Sequence, residues 1–85
     1  MFSDKHEHLH FKSEAQRNSY WNGRLVKSKK LIRRDLFNTI PIGTLGLVLY
    51  ADNMTPLLVV RWATGMLCPC YATSIFTYNK GDTNG

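Results

Sequence analysis

Residues 43–63 read GTLGLVLYADNMTPLLVVRWA, and this stretch decides the fold. Thr44 to Ala51 is rich in Leu, Val and Tyr, side chains that suit a pleated, half-buried surface, and predicts a strand. Asp52 to Pro56 supplies a five-residue hairpin connection. Leu57 to Ala63 is then the returning strand. Because side chains alternate along a strand, Leu58, Val60 and Trp62 share one face, and Leu57, Val59 and Arg61 the other. Arg61 must reach water and Trp62 is the largest side chain available, so Leu58, Val60 and Trp62 are assigned to the core.

Working outward, Thr64-Gly65 is a two-residue turn and Met66 to Tyr71 returns antiparallel. Pro69 removes a ladder donor from that strand, which places it on an edge or at a bulge. Thr73 to Phe76 predicts one helical turn, Thr77 to Asn79 a last short strand, and Lys80 to Gly85 a flexible polar tail. Upstream, Arg24 to Lys27 and Lys30 to Arg34 read as short strands, and Asp35 to Gly43 as an ordered loop steered by Pro41 and Gly43. Ser13 followed by Gln16 is a helix-start signal, so Ser13 to Tyr20 predicts a short helix before the Asn22-Gly23 turn. Residues 1–12 sustain no period and are expected to be loosely ordered unless docked, within an N-terminal extension that is partly ordered and packs partly on the barrel. No internal repeat is visible.

Four or five short strands, one long early loop, tight later hairpins and a late helical turn form the pattern of an SH3-like barrel. Gly43-Thr44-Leu45-Gly46-Leu47-Val48, then Val60-Arg61-Trp62, then Gly65, resembles the G-T-x-G-x-V … V-x-W … G arrangement of small SH3-like barrels, short bacterial and phage proteins of unassigned function among them. Gly43 to Val48 is also similar to the second half of the KOW element of transcription and ribosomal proteins, although the charged first half is lacking. The acidic loop and aromatic groove of proline-peptide-binding SH3 domains are lacking too. The resemblance covers about residues 30–79 and implies a mainly β fold, with an N-terminal extension at 1–23, an SH3-like barrel at 24–79 and a tail at 80–85. Fold likeness alone does not carry function.

Charge says more about function. The chain has 85 residues and a net charge of +5, with eleven Lys and Arg against six Asp and Glu. Seven of those cations, Arg17, Arg24, Lys27, Lys29, Lys30, Arg33 and Arg34, lie between Glu14 and Asp35 with no acid among them. Together with Tyr20 and Trp21, which offer aromatic faces for stacking on bases, they form the candidate binding set for DNA, RNA or an acidic protein surface. Mere solubility, with Tyr20 and Trp21 packed on the barrel, is the competing reading. The expected function is a small basic binding module engaging nucleic acid or a nucleic-acid-processing assembly. The alternative is a protein-interaction module, such as a small phage or bacterial regulator that binds a larger protein.

Other chemistries find less to work with. A chain this short buries about 60–65% of its unfolded surface, leaving a thin core and no deep substrate pocket. The six carboxylates are scattered, no phosphate-binding glycine loop or nucleophile elbow occurs, and no enzyme or cofactor is expected. His6, His8 and His10 alternate and, with Cys68 and Cys70, are the metal-ligating residues to weigh. Cys-x-Cys is not the usual knuckle spacing, so no metal is expected. A Cys68–Cys70 bridge would be strained, and Ser3 to Glu7 leads into no apolar run, so reduced thiols in a cytoplasmic protein are expected. Leu57 to Tyr78 is long enough to span a bilayer, but Arg61, Gly65 and Pro69 interrupt it, and no membrane partner is expected. Finally, Leu47, Leu49, Leu57 and Val59 lie opposite the assigned core, where the N-terminal segment would cover them or a second chain would pair in a homodimer.

Overall fold

The computed structural model describes residues 1–79; the predicted tail at 80–85 lies outside them. Antiparallel strands dominate, with one short α-helix. In chain order the elements are β1 (Phe2–Ser3), a 3-10 turn (Lys5–His8), α1 (Glu14–Trp21), β2 (Leu25–Ser28), β3 (Ile32–Arg33), β4 (Thr39–Ile40), β5 (Leu45–Ala51), β6 (Leu58–Trp62), β7 (Leu67–Cys70), a second 3-10 turn (Ala72–Ser74) and β8 (Ile75–Tyr78). Six strands form one sheet in the order β1-β8-β2-β5-β6-β7, and β3 pairs with β4 alone. Among the described residues the ladder does not close into a barrel: β1 and β7 remain its two edges. Pro69 sits on β7, so its missing N–H falls at an edge, as the sequence requires.

The alternation read from Leu58 to Trp62 holds, and that of β5 holds as far as Val48. Leu58, Val60 and Trp62 are buried, joined by Val48 from β5, Val26 from β2 and Ile75 from β8. Register brings them together, Val48 opposite Val60 and Val60 opposite Cys68. The Trp62 indole N–H donates to the Cys68 carbonyl at 3.0 Å, so the largest core side chain carries no unpaired donor. Cys68 and Cys70 are free, both buried on the inward face of β7.

Three additions cover the core. From the long early excursion, Ile32 and Ile40 turn inward from β3 and β4. Ser28 ties the base of that excursion: its hydroxyl donates to the Pro41 carbonyl at 2.6 Å and accepts from the Thr44 N–H at 2.8 Å. Helix α1 contributes Trp21. Its start is capped as the sequence predicts, with Ser13 Oγ accepting from the Gln16 N–H at 3.2 Å. The N-terminal residues, expected to be loose unless docked, are docked: Phe2–Ser3 add to the edge of β8, and His6 is buried. What sequence periodicity lacks there, backbone pairing and the His6 ring supply. The His6 Nε2 lies 2.7 Å from the Ala72 carbonyl, and its ring meets Trp21 edge-on at 5.3 Å.

Candidate interaction surface

Tracing the predicted binding set onto the fold divides it. Trp21 is 3% exposed and is a core residue, which corrects the expectation that it is free to stack on a base. It lies at the inner end of α1, wedged between His6 and Tyr20. Tyr20 is half-buried, with the Arg24 guanidinium 3.8 Å over its ring. Arg24 also donates to the Tyr20 carbonyl at 2.8 Å and the Tyr78 carbonyl at 3.3 Å, closing the helix end onto β8. Arg17 spans to the β5–β6 connection, donating to the carbonyls of Asp52 at 2.6 Å and Leu57 at 3.3 Å. Lys29 forms ion pairs with Glu7 at 2.7 Å and Asp4 at 3.5 Å, and the hydrogen bond to Glu7 raises its ammonium pKa above the ordinary value. Lys27 lies 4.9 Å over the Phe2 ring. Acids outside the counted window, and carbonyls that no sequence pattern advertises, account for this internal use. Lys30, Arg33 and Arg34 are exposed and form no ion pair or side-chain hydrogen bond with another described residue.

The metal set does not assemble. His8 and His10 are exposed, His6 is buried against Trp21, and both cysteines face the core on the far edge. No group of three His, Cys, Asp or Glu residues suited to a metal occurs among the described residues. Burial pushes the Cys70 thiol up to about 12 and raises Cys68 as well. Neither sulfur is thereby readied as a nucleophile.

A surface that sequence reasoning only half found lies on the outer face of the sheet. Leu25, Leu47, Arg61 and Leu67 stand in one cross-strand row over β2, β5, β6 and β7. Leu45, opposite Lys27, continues it. These leucines are roughly two-fifths to one-half exposed: Leu25 39%, Leu45 45%, Leu47 43% and Leu67 51%. Arg61 is the one charge in the row, and a shallow depression of about 400 Å³ lies beside it, between Leu25, Leu45 and Leu47. Of the residues expected to make the dimer face, Leu57 and Val59 are half-buried. A β-bulge between Val48 and Tyr50 sets Leu49 and Tyr50 together against Val59 and so breaks the expected line. The missed members were findable: Leu25 alternates with core Val26, and Leu67 with core Cys68.

No family model, curated protein or solved structure matches the chain, so its own geometry carries the functional reading. No described helix is long and apolar enough to cross a membrane.

Proposed function

We propose that this chain is a non-catalytic binding module whose main partner is a protein, held on the outer sheet face. The observation carrying this reading is the in-register row Leu25–Leu47–Arg61–Leu67, an apolar strip with one central cation that no described element covers. Such a strip offers area for desolvation, and Arg61 selects a partner with a carboxylate among apolar groups. Self-association across the row would seat each Arg61 guanidinium on the other copy's leucines with no carboxylate to meet it, so a different, acidic chain fits better than a second copy. The internal use of Arg17, Arg24 and Lys29 favours this reading over the broad nucleic-acid surface expected from composition.

We read the architecture as SH3-like. Supporting this are the meander β5-β6-β7, the single 3-10 turn before β8, the return of β8 beside β2, and the long β2-to-β5 excursion.

The test is affinity capture from nuclease-treated lysate with wild type, Leu47→Glu and Arg61→Glu. A stoichiometric partner recovered with wild type and lost with both variants supports the reading. Recovery indifferent to both refutes it, and sedimentation of wild type alone as a dimer would assign the face to a second copy.

A further inference from the structure

The β3–β4 hairpin is a second surface, distinct from the leucine row. Its strands are anchored by Ile32 and Ile40 in the core, while Arg33 and Thr39, paired across it, face outward. Its tip carries two adjacent apolar side chains in the open: Leu36 is 80% and Phe37 91% exposed, with Ile42 at 70% on the returning side.

Part of the tip backbone is closed upon itself. Asp35 Oδ1 accepts from the N–H groups of Phe37 and Asn38, both at 2.9 Å, and from the Asn38 side-chain amide. The Arg34 N–H donates to the Asn38 carbonyl at 2.9 Å. Those amides are unavailable to a phosphate, and they can leave bulk water at little cost because their hydrogen bonds travel with them. Lys30, Arg33 and Arg34 flank this apolar tip with Asp35 as the only acid of residues 30–42, a net charge of two positive.

From this arrangement we infer that the β3–β4 hairpin docks on an anionic lipid bilayer, Leu36 and Phe37 entering the interface while Lys30, Arg33 and Arg34 meet lipid phosphates. A nucleic acid would use the cations and stack one base on Phe37, but would leave Leu36 in water. A bilayer interface takes up both Leu36 and Phe37 while its phosphates meet the flanking cations.

The test is co-sedimentation of the full chain with sucrose-loaded vesicles of phosphatidylcholine, with and without a minority of phosphatidylglycerol, at low salt. Wild type is expected to partition onto the anionic vesicles and be released by salt. Arg33→Ala with Arg34→Ala is expected to lower partitioning about 30-fold, at roughly fivefold per cation. Leu36→Ser with Phe37→Ser is expected to lower it tenfold or more. Both pairs are exposed, and circular dichroism matching wild type confirms that fold is unchanged. In Phe37→Trp, the new indole should be quenched by lipid-borne doxyl groups. Failure of wild type to bind anionic vesicles, or binding that ignores the tip variant, overturns the inference. So does tighter binding to duplex DNA that depends on the cations but not on Leu36 and Phe37.

Discussion

Replacing Gly46 by alanine tests how closely the sheet is packed where β5 crosses Trp62. Gly46 lies opposite Trp62 in register, and its φ is outside the left-handed region, so alanine meets no backbone penalty. The obstacle is space. An added Cβ would stand 2.7 Å from Trp62 Cε3 and 2.7 Å from Val60 Cγ1, against an ordinary contact of 3.4–4 Å. The indole must therefore retreat by about 0.7 Å while its N–H is held by the Cys68 carbonyl at 3.0 Å. Overpacking of this kind costs about 1–3 kcal/mol, and weakening the indole hydrogen bond adds up to about 1 kcal/mol. The stiffer unfolded chain returns about 0.4–1 kcal/mol. A net loss of about 2 kcal/mol should lower the melting midpoint by roughly 10 °C in a domain of this size. Thermal unfolding followed by far-ultraviolet circular dichroism measures it. A midpoint within about 2 °C of wild type would refute the packing argument. Combined with Val60→Ala, which removes one of the two obstructions, the loss should be smaller than the sum of the single variants.

Other expectations follow from the same geometry. Arg17→Ala frees the carbonyls of Asp52 and Leu57 and should cost about 1–3 kcal/mol, read from urea midpoints, whereas Lys30→Ala, at an exposed unpaired cation, should change little. The Asp35 carboxyl is held below its ordinary 3.8, first by the Asn38 side-chain amide and then by the Phe37 N–H. The hairpin tip it organises should stay intact down to about that pH and loosen only as pH falls through the lower folded value. Amide shifts of Phe37 and Asn38 in an NMR pH titration report this, and loosening that begins well above 3.8 would contradict it. Native Cys70, raised to about 12 by burial, should resist iodoacetamide at pH 8 until urea unfolds the chain, and rapid native labelling would show the strand is not closed over it.

The fold was legible wherever alternation was strong. Leu58, Val60 and Trp62 announce an inward face because Arg61 between them cannot be buried, and Pro69 announces an edge because it lacks a donor. The N-terminus was opaque because its order comes from partners far along the chain, Phe2 on Tyr78 and His6 on Ala72, with no local period to read. For the same reason the cation window misled about the candidate site. Counting Arg17, Arg24 and Lys29 as surface charge ignores the carbonyls of Asp52, Leu57 and Tyr78, and the acids Asp4 and Glu7, that the fold brings to them. Trp21 was read from its neighbours in sequence rather than from the helix face it occupies.

β8, the last in chain order of the described strands, fills an interior place between β1 and β2. A nascent chain emerging from the ribosome would hold β1 and β2 without a common neighbour until residues 75–78 had been made. Assembly must wait for residues 75–78 to arrive, and a product stopped short of them would display raw edges on which other chains can grow.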